Sequence, residues 1–408
     1  MSDLEVLFLV LALIYGWECL CWVRRGAVAF LARFSRDWQM AHPGALFGNQ
    51  HGGFTLAYPL PPLGSVLLGN QLPLSLSTDV ALAWVSTSVN PSGRPAQSGK
   101  SVRFDDMRDV QANGKKVQIN GEVFLKVGSP QFALHLAEQL RKLSRLARAQ
   151  REAPINELFR ASLDTKLIEK RWQEFRKLSK PLRWLCNAVF VYLFVAAPLA
   201  IHFLGLKRCW LELVTGLLAL TVSTALCFRR AHRTFYAQAE DDRFTHFLTI
   251  LLAPASTIRA LDVLSRPLLE PFHPLAVARV FCPDHTFREF ARKTLLDLRY
   301  PALPVCPSAD DTAVVAELHS RQTLLQAVEQ FLKKGGVNVD ELTRPPEPAD
   351  ETCRSYCPRC GSQFTTLAGQ CADCGGLALQ AFPTDSSVGA NSETRKIRAG
   401  ECARPSGD

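Results

Sequence analysis

Neither Gly-x-Ser-x-Gly nor His-Glu-x-x-His occurs in this chain of 408 residues. Their absence removes a nucleophile elbow and a helical zinc-hydrolase site from consideration. A Gly-Lys-Ser triplet stands at 99–101, but five residues separate Gly93 from Gly99 where a phosphate loop needs four. Val102-Arg103-Phe104, which follow, read as strand and not as the helix whose N-terminus would hold phosphate. The stretch is expected to be a solvated hairpin loop. Disulfides are not expected either: thirteen cysteines over this length are too sparse for a disulfide scaffold. What is scarce above all is charge inside the apolar runs. The totals, 47% hydrophobic and 21% charged, are ordinary, but the apolar residues are gathered into a few segments.

Residues 5–23 carry Glu5 and Glu18 as their only charges, in a run about as long as a membrane helix requires. Asp3 and Glu5 stand at its start, and Arg24, Arg25, Arg33 and Arg36 follow it. The acidic start argues against a signal peptide, and the basic end places the N-terminus outside. Residues 184–206 and 209–228 form a second and a third run joined by a short turn. Lys170, Arg171, Arg176, Lys177, Lys180 and Arg183 precede this pair, Arg229, Arg230 and Arg233 follow it, and only Lys207 and Arg208 lie in the turn. Basic residues prefer the cytoplasmic side. The expectation is therefore a multi-pass cell-membrane protein with three spans, its N-terminus outside and its bulk cytoplasmic. Asn187, His202 and Glu212 are the polar groups within the hairpin. The latter two lie near the turn, where snorkelling to water or pairing with Lys207 accounts for them.

Residues 50–150 change rhythm to short apolar runs divided by Gly, Pro, Asn and Ser, a strand-and-turn pattern. Asn113-Gly114 and Asn120-Gly121 are hairpin signals. Phe132, Leu136, Leu140, Leu143 and Ala147 then make one helical stripe. The stretch from Val102 to Leu143 resembles the C-terminal half of bacterial pleckstrin-homology-like (PH-like) modules. That resemblance implies a small β-barrel closed by a C-terminal helix and used as a binding or assembly platform. Phosphoinositide binding is not carried over with it.

Residues 155–180 read as a basic amphipathic helix through Leu158, Phe159, Ile168, Trp172 and Phe175, ending before Pro181. Its Lys and Arg residues, with Arg141, Lys142, Arg145 and Arg148, suit an anionic inner leaflet. Each contributes about 1 kcal/mol of attraction there. The net charge of +9 thus has an explanation without nucleic acid, which is not an expected partner. Residues 240–343 read as a helical cytoplasmic domain broken by prolines. Its start, with Phe244, Phe247, Leu248, Leu251 and Leu252 on one stripe, is too short to cross a bilayer. Candidate catalytic groups in 240–310 are Asp242, His246, His273, Cys282, His285 and Cys306. None has the spacing of a known site, so no catalytic residue is assigned. The helix over 312–334 is capped by Asp310 or Asp311, striped by Val314, Leu318, Leu325, Val328 and Leu332, and ended by Lys333-Lys334-Gly335.

Residues 344–352 are a proline-rich linker. Beyond it, Cys357-x2-Cys360 and Cys371-x2-Cys374 are separated by ten residues. Two such pairs on tight turns supply four thiolates for tetrahedral zinc. Gly361 and Gly375 are expected to let backbone amides point at the sulfurs, and Cys353 to stand aside. The first pair, Cys-Pro-x-Cys-Gly, resembles the first knuckle of zinc ribbons, which implies a structural Zn2+ site over 353–382. Thiolates persist on the reducing, cytoplasmic side. Residues 383–408, polar and low in aromatics, are expected to be a disordered tail.

The fold class expected from all this is a multidomain α+β integral membrane protein. It comprises a first span over 1–25, a PH-like domain over 50–150, a basic helix over 155–180, a hairpin over 184–228, a helical domain and a zinc ribbon. The function expected is a membrane-anchored, non-catalytic adaptor that recruits a cytoplasmic protein or assembles with itself. A membrane-surface enzyme with a site in 240–310, or a zinc- or redox-responsive sensor, are the alternatives.

Overall fold

The computed structural model describes residues 74–89, 95–127, 129–236, 240–252, 257–258, 260–281, 284–300, 312–374 and 376–382. It also describes three strands before residue 71 and Val6, Leu9, Val10 and Leu13. The chain divides into two compact units, 1–287 and 288–408. Most of the expected first span, 1–25, the tail 383–408, Cys282, Cys306, Asp310, Asp311, Gly375 and the side chain of Asp242 lie outside the described residues.

Unit 1 opens with β1 (Ala27–Leu31), β2 (Gly53–Ala57) and β3 (Leu67–Asn70), where β1 pairs parallel and β3 antiparallel with β2. Next come two antiparallel sheets: β4 (Leu74–Leu76), β5 (Val80–Val89) and β6 (Pro95–Arg103), then β7 (Val110–Asn113), β8 (Lys116–Ile119) and β9 (Glu122–Lys126). Both Asn-Gly pairs are turns. Gly114 (φ 54°), Asn120 (φ 52°) and Gly121 (φ 85°) occupy the left-handed region that tight hairpins require. Asn120 sustains this by accepting from the amides of Arg108 and Asp109 and donating to the carbonyl of Asp106. The Gly99-Lys100-Ser101 triplet lies inside β6, paired with Leu82–Trp84 of β5, and not in a loop. The Lys100 ammonium is used structurally, donating to the carbonyl of Val123 at 2.8 Å.

The expected closed barrel does not form. Among the described residues the two sheets share no backbone pairing, because the turn at Phe104–Asp106 and the stretch before β7 interrupt the ladder. Strands β7 and β8 and the Phe104–Asp106 turn pack against α1 (Pro130–Ser144), with Phe104, Val117, Phe124, Leu136 and Leu140 all nearly inaccessible. Ser129 caps α1 by accepting from the amide of Phe132. Its stripe is as the sequence predicts except at the end, since the helix stops at Ser144 and Ala147 is exposed.

The basic segment is two helices, not one: α2 (Glu152–Ser162) and α3 (Thr165–Leu178), with Asp164 capping the second by accepting from the amide of Leu167. Phe159, Ile168 and Phe175 face inward. Helix α4 (Lys180–Leu204) begins at once, with Pro181 tolerated in its first turn. It widens to a π-turn over Tyr192–Ala196, where Pro198 cannot donate to the carbonyl of Phe194. Gly205 (φ 76°) turns the chain into α5 (Leu206–Phe235).

Helices α4 and α5 have mean hydropathy 2.0 and 1.8 over their most apolar stretches, and only 17% and 22% of those stretches is buried within the protein. Leu199, Phe203, Leu204, Leu211, Val214 and Leu218 are all half exposed or more. Both helices are long and apolar enough to cross a membrane. They touch closely where the Tyr192 hydroxyl donates to the carbonyl of Leu213 at 2.7 Å. A β-carbon at Gly216 would lie 2.7 Å from that hydroxyl oxygen, so a larger residue there would displace the Tyr192 ring.

The ends of these helices enter a core with Phe175, Leu182, Cys186, Ala225, Phe228, Tyr236, Ile250 and Leu264. It includes α6 (Glu240–Leu252) and α7 (Ala260–Leu269). On α6, Ile250 is buried in this core and Phe247 of the predicted stripe packs against it, whereas Phe244 and Leu252, also on that stripe, are 66% and 77% exposed. After α7, Glu270 accepts from the Ser129 hydroxyl at 2.5 Å, both side chains buried. That bond ties the cap of α1 to the helical part of the same unit. Helix α8 (Pro274–Phe281) follows.

Helix α9 (Asp284–Arg299) leads into unit 2, which holds α10 (Thr312–Lys334), α11 (Val339–Leu342) and the cysteine-rich segment. Val328 and Leu332 of α10 are fully buried, and Gly336 (φ 74°) terminates the helix. Arg299 spans from α9 to α10 by its ion pair with Glu329 at 2.8 Å.

Candidate metal centre

The cysteine-rich segment has almost no apolar core. Its buried cluster is Cys357, Cys371 and Cys374, with Phe364, Leu377 and Leu379 packed around it. Two-residue strands frame it: β10 (Ser355–Tyr356) pairs with β11 (Gln363–Phe364) and β14 (Gln380–Ala381), and β12 (Gln370–Cys371) pairs with β13 (Leu377–Ala378). Each cysteine pair sits at the end of a strand, on a turn closed back onto its first member. The amide of Gly361 donates to the Cys357 carbonyl, and the amide of Gly376 to the Cys371 carbonyl, both at 2.9 Å. Gly361 (φ 77°) and Gly376 (φ 86°) are left-handed at these closures, which a β-carbon would strain.

The four sulfurs of Cys357, Cys360, Cys371 and Cys374 all lie within 4.8 Å of one another. Cys360 Sγ and Cys371 Sγ are 3.8 Å apart. A tetrahedral zinc with Zn–S bonds of about 2.3 Å requires S···S edges of about 3.8 Å, whereas a disulfide would require about 2.05 Å. All four thiols are free. The donor set therefore fits a tetrathiolate metal, and the arrangement is consistent with a zinc ribbon. Cys353 is also free and is not part of the cluster.

The thiols differ in acidity. Burial opposes ionisation at Cys360, but hydrogen bonds from the Ser362 hydroxyl and amide, and from the neighbouring thiols, outweigh it and bring it down to about 7. Burial, reinforced by the neighbouring thiols, pushes Cys371 and Cys374 up. Four thiolates at this spacing cannot coexist without a cation, so a metal ion displaces protons as it enters. The amide of Ser362 supports Cys360 and that of Cys374 supports Cys371. The amides of Gly361 and Gly376 close the turns themselves.

Two contacts near this centre are invisible in the sequence. Arg359, between the first two cysteines, pairs with Asp297 of α9 at 2.8 Å. Gln363 holds the linker, accepting from the amide of Ala349 and donating to the carbonyl of Glu347. A recess on the same side of unit 2 is lined by Arg292, Arg299, Tyr300, Arg344, Tyr356 and Cys357, among others.

Among the described residues, the candidate catalytic groups His246, His273 and His285 form no metal-ligating cluster. His246 is half-buried with its ring against Phe228, and His285 is exposed. His273 is enclosed. Its amide donates to the carbonyl of Ser162, its Nδ1 accepts from the amide of Leu275, and burial lowers its pKa to about 4. Among the described residues the four cysteines are the group of metal-ligating side chains that could hold an ion.

No protein family, curated protein or solved structure matches this chain. The centre stands on its geometry.

Proposed function

We propose that the chain is a membrane-anchored, non-catalytic adaptor or assembly protein whose cytoplasmic modules bind protein partners, with zinc as a structural ion. The donor set carries this. Four protein thiolates fill a tetrahedral shell and leave no position for a substrate or water. Cys357, Cys360, Cys371 and Cys374 would hold the ion, which supplies the folding energy that a segment with so small a core lacks.

The exposed apolar faces of α4 and α5 and the basic residues at both of their outer ends support membrane anchorage with residues 24–183 and 229–408 in the cytoplasm. A third span over 1–25 with the N-terminus outside belongs to the same proposal. The β4–β9 sheets with α1 support a PH-like platform in the open form described above. Two platforms on one anchor suit an adaptor, and self-association through them is compatible with it.

Two experiments test this. The intact protein, captured from detergent-solubilised membranes, retains specific proteins, and fewer when either the β4–α1 module or residues 353–382 are deleted. Retention of none removes the adaptor. Alkaline phosphatase fused after Asp408 is inactive; activity there overturns the topology.

A further inference from the structure

The recess beside the first cysteine pair gathers three arginines, Arg292, Arg299 and Arg344. It has an empty volume of about 340 Å³, counting the solvent at its mouth, and among the described residues no acidic side chain lines it. Arg292 and Arg299 stand seven residues apart on α9, and Arg344 opens the linker. Seven residues are two helical turns, so both α9 arginines share one face. Arg299 is already matched, by Glu329 at 2.8 Å and the Thr343 hydroxyl at 2.9 Å. Arg292 and Arg344 are exposed, and their guanidiniums have no hydrogen-bond or ion-pair partner among the described residues. The Tyr300 hydroxyl, on the same wall, is equally uncommitted among them.

The guanidiniums of Arg292 and Arg344, which lack a carboxylate partner among the described residues, repel like charge and attract an anion. Zinc on four thiolates would carry two negative charges nearby, which is one reason to place arginines there. Cys357, however, is fully buried, so no solvent-facing sulfur opens onto the recess at that wall. What faces the solvent is two unpaired forks and a phenol.

We propose that this recess is an oxyanion-binding site, in which Arg292 and Arg344 grip a carboxylate or phosphate group beside the fixed wall made by Arg299. The guanidinium fork matches either anion bidentately. In the adaptor proposal, on which only this clause rests, the anion would belong to an acidic partner protein.

The test is calorimetric titration of the full, zinc-loaded chain in detergent at low salt. The probes are inorganic phosphate and acetylated hexaglutamate, with hexaglutamine as control. At least one anionic probe binds saturably, hexaglutamine does not, and Arg292→Gln with Arg344→Gln weakens binding by about tenfold or more. Phosphate alone marks a site for small oxyanions, and hexaglutamate alone a site for acidic protein segments. Arg292→Lys, which keeps the charge and loses the fork, gives an intermediate affinity. The proposal is overturned if neither probe binds, or if the double variant binds as well as the parent. It is equally overturned if the parent binds neither probe while the double variant loses zinc faster to a chelator, since the arginines then serve the metal. Oxyanion binding with no partner retained from membranes would sink the adaptor alone, and the converse would sink this site alone.

Discussion

The β4–α1 module and the cysteine-rich segment are both built of short strands and tight turns, yet different forces hold them. In the module, Leu76, Leu82, Phe104, Val117, Leu136 and Leu140 are almost wholly removed from water, at about 25 cal/mol per Å² of apolar surface. In the cysteine-rich segment the buried apolar cluster consists of three of the ligands themselves. Hydrogen-bonded hairpins need a source of free energy to persist, and apolar area and metal–thiolate bonds are interchangeable sources. Which one a segment uses determines what can destroy it.

The comparison breaks most sharply at the ligands. Cys371→Ser removes one of the four donors and is expected to abolish stoichiometric zinc, measured by elemental analysis. With the roughly 10–16 kcal/mol of metal binding gone, residues 353–382 become sensitive to protease while the module keeps its amide protection. A strong chelator applied to the parent protein gives the same pattern. In the other direction, Leu136→Ala leaves zinc content unchanged and lowers the module's stability by about 2–5 kcal/mol, read by hydrogen exchange at β7–β9. Loss of zinc in that variant would mean that the two regions fold as one.

Much of this contrast was legible in the sequence, and the reason is range. Asn-Gly at 113–114 and 120–121, the α1 stripe and the two Cys-x2-Cys pairs are local patterns, and local patterns are fixed by backbone geometry. What the sequence hid depends on distant partners. Ser129 meets Glu270, Arg359 meets Asp297, and Arg292 shares a recess with Arg344. The barrel expectation failed for the same reason, since strand periodicity says nothing about which edges pair. On α6 the stripe held at Phe247, which packs against the core with Ile250, and erred at its ends, where Phe244 and Leu252 are exposed. At Ser162–Asp164 a capping residue inside a periodic run split one expected helix into two.

Acidity sharpens the comparison between burial and ligation in a second way. His273 is held neutral by burial, its pKa lowered to about 4 against about 6.5 in the unfolded chain. The unfolded state therefore binds more protons between these values, and stability falls as pH drops through that window. Unit 1 is fully stabilised above pH 6.5 and loses about 3 kcal/mol by pH 4 from this group. His273→Asn keeps an acceptor for the Leu275 amide but does not titrate. Its denaturation midpoint is expected to change less between pH 7 and pH 4.5 than that of the parent. Equal slopes would show that His273 is not what senses the acid.

The smallest expected effect lies in the module's second hairpin turn. Asn120 adopts φ 52° and makes three hydrogen bonds through one side-chain amide, two accepted by Oδ1 and one donated by Nδ2. Asn120→Gly relieves the backbone but loses the bonds, whereas Asn120→Ala keeps the strain and loses them too. The alanine variant is expected to cost about 1–2 kcal/mol and the glycine variant less, both seen as faster exchange in β7 and β8 with zinc content unaltered. Both variants lose the same bonds, so a glycine variant no more stable than the alanine one would show that left-handed strain at residue 120 does not limit the turn.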